Sequence, residues 1–291
     1  MRAVVASGFF VGVHLGHRRV VSELVRQASA RGEEALVVTF WPHPRTVLQD
    51  DARTLRLLNS LEEKKALLSA LGVDRVEVLD FSRAFSRLST RAYLDLLRER
   101  FDATCVLLGY DNRIGSDLLA APQAARLAHE SGLEAQVLEP LSLGGVTVSS
   151  TKIRTALGEG RVEDASAMLG YPYMLHGVVV AGNRMGRTLG FPTANMQLYE
   201  PLKQLPGNGV YCVEAEVLGR KYRGMCNVGV RPTVAGSGAL TIETHILDFD
   251  EDIYGLDMRV RFLRFLRPER RFDSLDALRT QLAADRSDAL R

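Results

Sequence analysis

Hydrophobic residues in the first half of the chain form short apolar runs that alternate with longer amphipathic segments. The apolar runs predict β-strands at residues 3–6, 35–40, 76–79, 104–108 and 135–138. The amphipathic segments predict helices at residues 18–31, 60–71, 90–101 and 122–131. Ser60, with Glu63 three residues later, is typical of a helix start. This alternation predicts an α/β domain whose parallel sheet is covered on both faces and binds ligands beyond the carboxyl ends of its strands.

The pattern changes in the second half. A helical pattern runs from Ser149 to Leu169 and stops at Gly170-Tyr171-Pro172, so we predict two domains, at residues 1–172 and 173–291. Beyond this point, runs rich in β-forming residues at 209–217, 221–228, 240–247 and 258–266 predict an antiparallel barrel or sandwich. A final helix is predicted at 274–284, with Leu275, Leu278 and Leu282 on one stripe.

Composition narrows the function classes only a little. The 291 residues are 46% hydrophobic and 25% charged, with a net charge of +2, which gives no global electrostatic argument for nucleic acid or membrane binding. Cys105, Cys212 and Cys226 lie in apolar contexts and predict buried, inert thiols in a reducing compartment. No apolar run approaches the length of a membrane span and no signal peptide opens the chain. We therefore expect a cytoplasmic protein, as a monomer or a weak homo-oligomer.

A first group of candidate binding residues follows the first predicted strand. Gly12, His14, Gly16 and His17 stand where the first helix opens, and a helix N-terminus offers free amides and a positive dipole end. Glycine lets the backbone approach a ligand closely, and histidines three apart can face the same way. This arrangement indicates a cradle for a triphosphate.

A second anion-type segment stands at the other end of the same predicted domain. Ser150 and Thr151 supply hydroxyls at a helix start, and Arg154 adds a positive charge in the first turn. Such residues often only cap and decorate a helix. Their combination with the histidine segment in one α/β domain favours phosphate binding.

The third group is a glycine-rich loop in the second half. Gly182, Gly186, Arg187 and Gly190 lead into Pro192-Thr193-Ala194-Asn195. Such a loop can bring backbone amides, a guanidinium group, a hydroxyl and an amide oxygen to one point, the groups that phosphates and a hard metal ion need.

The first half resembles the nucleotidyltransferase superfamily with its His-x-Gly-His signature. It is most similar to the N-terminal module of bacterial bifunctional riboflavin kinase/FAD synthetases. The segments Phe40-Trp41-Pro42-His43-Pro44 and Leu108-Gly109-Tyr110-Asp111-Asn112-Arg113-Ile114-Gly115 carry the resemblance, together with His14 and His17. It implies a Rossmann-like domain that moves AMP from ATP onto FMN to give FAD and pyrophosphate, with Asp111 and Arg113 near the flavin.

The second half resembles the riboflavin kinase module of the same family, and the match is closer. Five segments carry the resemblance, in this order: Gly186 to Asn195, Gly209-Val210-Tyr211, Asn227 to Thr233, Glu243 to Asp248, and Leu266 to Phe272. The resemblance implies a β-barrel that transfers the ATP γ-phosphoryl group to the 5′-hydroxyl of riboflavin. It also implies that Glu243 is the general base, that Thr193 and Asn195 hold Mg²⁺, and that Arg267 helps to close the flavin site.

The chain departs from the family pattern at three positions of the first half. Val11 stands where the family has an aspartate, and Asn112 and Ile114 stand where it has aromatic residues. These departures keep alternatives open. One is a riboflavin kinase with a degenerate nucleotide-binding or regulatory domain. Another is a flavin-binding regulator without turnover, and the first half alone also permits adenylylation of a different phosphorylated substrate.

Overall fold

The computed structural model describes residues 1–48, 55–143, 145–182, 186, 189–231 and 239–291. The chain divides into two compact units, Met1–Ser150 and Thr151–Arg291. The domain boundary expected after residue 172 stays a prediction.

The first unit is built on a parallel sheet. Its strands are β1 Ala3–Ser7, β2 Glu34–Trp41, β3 Arg75–Asp80, β4 Ala103–Gly109, β5 Arg113–Ile114, β6 Leu119–Ala120, β7 Glu134–Leu138, β8 Ser142–Leu143 and β9 Val146–Thr147. The five longest form one sheet in the order β3-β2-β1-β4-β7, and the others form two small hairpins. The predicted parallel sheet is confirmed.

Helices cover both faces of this sheet. α1 Leu15–Arg31 and α3 Leu61–Ser69 pack on one face, and α4 Thr90–Phe101 and α5 Ala121–Glu130 pack on the other. The short helix α2 Pro44–Leu48 follows β2, and α6 Ser150–Gly158 begins at the last residue of the unit. In β1, Ala3 and Val5 pack into one core cluster and Val4 and Ala6 into the other, because successive side chains of a strand point to opposite faces. The capping box predicted from Ser60 and Glu63 is present, with Glu63 N donating to Ser60 Oγ at 3.1 Å.

The order of the strands reverses beside β1, the position where open parallel sheets usually bind ligands. The chain passes from β1 to β2 on one side and later places β4 on the other side, so the loops after β1 and β4 diverge at the same sheet edge. A hydrogen bond links these two loops, because Asn112 Nδ2 donates to the Ser7 carbonyl at 3.1 Å.

The helical pattern from Ser149 to Leu169 was predicted as continuous, and this is wrong. Helix α6 ends at Gly158 and α7 spans Val162–Leu169. Between them Gly160 has a φ of 77°, in the left-handed region that glycine favours and that a continuing helix cannot use. Gly160 therefore breaks the pattern into two short helices.

The second unit contains a closed barrel, which confirms the barrel prediction. Its strands are β10 Met174–Val180, β11 Ala194–Leu198, β12 Gly209–Val217, β13 Arg220–Arg231, β14 Ala239–Ile246 and β15 Asp257–Arg267. They close in the order β10-β11-β14-β13-β12-β15, with antiparallel pairing throughout. Fully buried Met258, Val260 and Phe262 lie at alternate positions of β15. The three cysteines are buried and form no disulfide.

The terminal helix, α8 Leu275–Leu290, is longer than predicted, and Leu278 and Leu282 of the predicted stripe are half-buried. Leu275 is 63% exposed, whereas Asp285 and Ala289 are buried. Asp285 can be buried because Arg267 pairs with it through two nitrogens, with Nε 2.9 Å from Oδ1 and Nη2 2.7 Å from Oδ2. The helix is therefore anchored by a charge pair that a hydrophobic stripe could not reveal.

Replacing Asp285 should destabilise the second unit. Asp285→Ala leaves the Arg267 guanidinium, 16% exposed, without its counter-charge, and we expect a loss of about 3–5 kcal/mol in the free energy of unfolding. Amide hydrogen exchange in β12 and β13 measures it. Arg286→Ala is the matched control, because it removes only the exposed Arg286–Asp248 pair and should cost at most about 1 kcal/mol. Equal effects of the two substitutions would contradict this account of the anchor.

Candidate active sites

The loop after β1 is held in an unusual backbone conformation. Phe10 and Val13 have φ values of 46° and 38°, and Gly12 has a φ of 80°. Left-handed conformations cost free energy for residues other than glycine, and such residues concentrate at ligand sites. A short 3₁₀ helix, Val11–Val13, carries the chain from this loop to the start of α1.

The predicted histidine pair is brought together at this helix start. The rings of His14 and His17 stack with centroids 3.7 Å apart and an interplanar angle of 15°. His14 caps the helix, because its Nδ1 accepts a hydrogen bond from the backbone N–H of His17 at 3.4 Å. Gly16 leaves room for this stack, since a Cβ there would lie 3.2 Å from the His14 ring.

Both histidines are neutral at physiological pH. Burial lowers the pKa of His14 to about 4. Burial also holds the pKa of His17 well below its usual range, and the positive charge of Lys64 lowers it further. Because His14 Nδ1 accepts a hydrogen bond, its proton lies on Nε2. The pair can thus donate N–H groups to an anion.

Ser150 also reaches the loop after β1. Its Oγ donates to the Val11 carbonyl at 3.0 Å, which ties the start of α6 to the 3₁₀ helix. Thr151 and Arg154 follow on α6, and their phosphate-binding roles stay predictions.

The three departures from the family pattern have different structural outcomes. Val11 lines a small pocket, and its carbonyl accepts the hydrogen bond from Ser150. Asn112 joins the loops after β1 and β4, and Ile114 is buried in the core of the first unit. Asp111 and Arg113 are exposed beyond the end of β4, where their predicted flavin contacts stay untested.

The second predicted site is a row of polar residues across three adjacent strands. Asn195 of β11 is paired with Glu243 of β14, and Glu243 is paired with Asn227 of β13. Paired residues of neighbouring strands point the same way, with Cβ atoms about 5 Å apart. Ile242, Thr244 and Ile246 are buried on the other face of β14. Glu243 therefore stands between two asparagines on the outer wall of the barrel.

The glycine-rich loop lies at one end of this row. Gly182 packs directly on the Asn195 amide, because a Cβ there would lie 2.1 Å from Nδ2. A Cβ at Gly186 would likewise clash with the Phe191 carbonyl oxygen. The Phe191 N–H donates to the Gly186 carbonyl at 2.8 Å. Gly190 adopts a φ of 82°. The predicted phosphate-binding residue Arg187 lies outside the described residues.

A pocket of about 300 Å³ opens beside this loop. Gly182, Thr193 and Asn195 line it, together with an acidic segment at residues 250–252 and Tyr254. The size is within the range of small-molecule sites.

His245 lies on the same face of β14 as Glu243 and supports the loop. Its Nδ1 is 2.7 Å from the Pro192 carbonyl, and its ring packs on Phe191 at 5.3 Å between centroids. Burial lowers the pKa of His245. A carbonyl oxygen can only accept, so Nδ1 donates to it. His245 thus fixes the backbone that leads into Thr193.

Sequence reasoning did not single out Asn227 or Glu269, although both lie in segments that resemble the family. Asn227 Nδ2 donates to Glu269 Oε1 at 3.0 Å, and Gly229 leaves the space that this carboxylate fills. A second carboxylate is thereby held one strand away from Glu243. Arg267, predicted to contact flavin, donates instead to Asp285 and to the Pro268 carbonyl, and its flavin role stays a prediction.

Sequence reasoning also missed Lys64, a buried lysine on α3 that lines the small pocket beside Val11 and Gly12. In the sequence, Lys64 looks like an ordinary exposed helix lysine beside Lys65. Only its burial in the structure distinguishes the two.

Within the described ranges, no group of three or more His, Cys, Asp or Glu side chains could hold a metal ion. In the same ranges, no helix is both long and apolar enough to cross a membrane.

Comparison with known proteins agrees with this two-site architecture. Residues 1–152 match the family model described as FAD synthetase, and residues 169–291 match the one described as riboflavin kinase. The bifunctional riboflavin kinase/FMN adenylyltransferase of Listeria monocytogenes is 36% identical, covering 98% of this chain and 90% of that protein. The protein of the same description from Escherichia coli K12 is 37% identical, over 97% and 90%.

A crystal structure described as a macrolide-efflux protein from Streptococcus pneumoniae has the same fold. It superposes with a TM-score of 0.92 at 32% identity, over 100% of this chain and 94% of that one. Its description concerns that protein alone. The two family matches and the near full-length relatives together show that this chain belongs to the family of bifunctional riboflavin kinase/FMN adenylyltransferases.

Proposed function

We propose that the second unit phosphorylates riboflavin to FMN and that the first unit adenylylates FMN to FAD, with ATP as the co-substrate of both reactions. The observation that carries this proposal is the row Asn195–Glu243–Asn227 beside the glycine-rich loop. Simple flavin binding needs no positioned base, so a carboxylate in this row favours an enzyme over a regulator. We also expect a cytoplasmic setting and a monomer or weak homo-oligomer.

Glu243 is the proposed base of the kinase reaction. The riboflavin 5′-hydroxyl oxygen attacks the γ-phosphorus of ATP, the bond to the ADP oxygen breaks, and Glu243 takes the hydroxyl proton. A primary alcohol is a poor nucleophile at neutral pH and needs such a base. Strand pairing puts Glu243 between Asn195 and Asn227. Asn195 lies next to the glycine-rich loop, where we place the nucleotide, and Asn227 holds Glu269.

Thr193 and Asn195 fit the Mg²⁺ expected with ATP. Both offer neutral oxygen ligands beside the 300 Å³ pocket, and Gly182 packs on the Asn195 amide so that its orientation is restricted. Mg²⁺ usually takes few protein ligands and completes its shell with phosphate oxygens and water, which suits a pair of neutral donors. When bound, the ion neutralises phosphate charge.

The adenylyltransferase reaction needs no general base. The FMN phosphate is already an anion near neutral pH, and one of its oxygens attacks the α-phosphorus of ATP as pyrophosphate leaves. Neutral His14 and His17 and the free amides at the start of α1 donate to the phosphates and stabilise charge there. The strained loop from Phe10 to Val13 holds these donors in place.

Product analysis tests the two activities together. Incubation of the full chain with riboflavin, ATP and Mg²⁺, followed by chromatography, should give FMN first and FAD afterwards. FMN without FAD would support the alternative of a degenerate first domain. In that case Val11→Asp should restore FAD if the missing carboxylate is the cause.

Glu243→Gln should abolish most kinase activity and leave the other reaction intact. Loss of a general base slows the chemical step by about 10²–10⁴-fold, so kcat for riboflavin phosphorylation should fall by that factor. FAD formation from supplied FMN is the internal control in the same preparation. Riboflavin phosphorylation near the wild-type rate would show that Glu243 is not the base.

His17→Ala should have the opposite selectivity. We expect FAD formation to fall by about a hundredfold, because one phosphate donor is lost, while riboflavin phosphorylation stays unchanged. Both rates are measured by chromatography of the flavins. A similar loss in both reactions would indicate general misfolding, and no loss in either would contradict the proposed role.

The first unit should lose stability as the pH falls through the window from 6.5 to about 4. His14 has a lowered native pKa of about 4, so the unfolded chain binds a proton in that window that the folded chain does not. The His14 contribution should be about 2 kcal/mol between pH 7 and pH 5. Urea unfolding monitored by Trp41, the single tryptophan, measures it.

His14→Asn is the matched control for this pH dependence, because asparagine also caps helices but does not titrate in the window. The variant should lose stability over this pH range by about 2 kcal/mol less than the wild type. Identical pH dependence in the two proteins would contradict the burial of a neutral His14.

A further inference from the structure

Lys64 is a buried cation whose role the proposed reactions do not explain. Its side chain is 5% exposed, its Nζ donates to Thr39 Oγ1 at 3.3 Å, and it lies 5.7 Å from the centre of the Trp41 ring. Across the described ranges, Lys64 forms no ion pair with a carboxylate, and burial alone accounts for its altered acidity. Burying a cation is costly, and a bound polyphosphate near the loop after β1 would offset part of this cost.

The position of Lys64 connects it to the adenylyltransferase loop. Thr39 Oγ1, which accepts from Lys64, lies 3.5 Å from the Phe9 carbonyl in the loop after β1. Lys64 lines one pocket with Val11 and Gly12, and its charge helps to lower the pKa of His17. The lysine therefore lies behind the loop that presents His14 and His17.

The size of the pocket decides how Lys64 can act. The pocket has a volume of about 10 Å³, no more than a single water molecule requires. A phosphate group cannot enter it to contact Nζ. The interior has a lower effective dielectric constant than water, so a charge placed there still acts on groups several ångströms away.

We propose that Lys64 is a positioning residue for FMN adenylylation, a buried cation that acts through space and through His17 on phosphates bound at the loop after β1. Its positive charge attracts the polyphosphate, and it keeps His17 neutral so that this ring donates only one proton. The inference rests on the proposed adenylyltransferase function of the first unit. It adds a residue that touches neither substrate.

The pH dependence follows from the groups around Lys64. Burial lowers the pKa of Lys64 to about 8, so its charge is lost as the pH rises through 8. The titratable groups that face it are His17 from α1 and His43 after β2, while Glu63 on its own helix holds the Ser60 cap. From β3, Val78 is paired with Thr39 and Asp80 with Trp41, so Asp80 is the charged residue of that strand on the same face. The pKa of His17 is held well below its usual range by burial, so the alkaline change is assigned to Lys64.

Three variants of the full chain test the proposal. Lys64→Met should lower kcat/KM for FAD formation by about ten- to hundredfold, whereas Lys64→Arg should retain most of it. Lys65→Met is the matched control. Lys65 is the exposed neighbour of Lys64 on α3, so its replacement should have no effect. Riboflavin phosphorylation should be unchanged in all three. A rate for Lys64→Met within twofold of that for Lys65→Met would overturn the proposal.

The pH profile keeps the test decisive if Lys64→Met does not fold. In the wild type, kcat/KM for FAD formation should decline above about pH 8, and in Lys64→Arg this decline should move beyond pH 9.5, because guanidinium does not deprotonate there. A wild-type profile that is flat from pH 7 to 9.5 would overturn the proposal.

A binding measurement separates this inference from the proposed function. Trp41 is the single tryptophan and lies beside Lys64, so its emission reports ATP binding to the first unit alone. Absence of FAD from the wild type would refute the adenylyltransferase function. Under the inference, the Kd for ATP should still rise about tenfold in Lys64→Met, and an unchanged Kd would refute the inference itself.

Discussion

The proposed kinase site depends on the register of three adjacent barrel strands. Side chains alternate across a strand, so a slip of one residue in β14 would move Glu243 from the outer wall into the barrel interior. Burial of Ile242, Thr244 and Ile246 opposes that slip, because it would expose three interior positions. The bond between His245 and the Pro192 carbonyl and the contact of Gly182 with Asn195 fix the neighbouring loop in the same register. Catalytic geometry and barrel packing are therefore set by the same alternation.

The two proposed sites carry out different chemistry and use different side chains. The kinase substrate is an alcohol that must lose a proton, and the barrel supplies a carboxylate on a rigid strand. The adenylyltransferase substrate is already an anion, and the first unit supplies donors and positive charge without a base. In the proposed adenylyltransferase site, burial lowers the pKa values of His14 and His17 and places Lys64 behind the loop that carries them. The family relationship explains why one chain carries both sites.

Much of this architecture could be predicted from the sequence. The alternating pattern correctly predicted the parallel sheet. The motifs singled out the histidine loop, the Thr193–Asn195 segment and Glu243, whose roles stay predictions. Other features depend on packing that no local pattern encodes. The left-handed Gly160 ends a helix that the hydrophobic periodicity would continue. Leu275 is exposed, and α8 is anchored by Asp285, which can be buried because Arg267 provides its counter-charge. Lys64 resembles any helix lysine in the sequence, and the Asn227–Glu269 pair joins residues 42 positions apart.

The central claim is that Asn195 and Glu243 act as one unit in riboflavin phosphorylation, and a double-variant cycle tests it most directly. The rates of Asn195→Ala, Glu243→Gln and the combined variant should be strongly non-additive, with the combined variant little slower than Glu243→Gln alone. A combined loss equal to the product of the two single losses would contradict the claim, because it would show that the two side chains contribute independently.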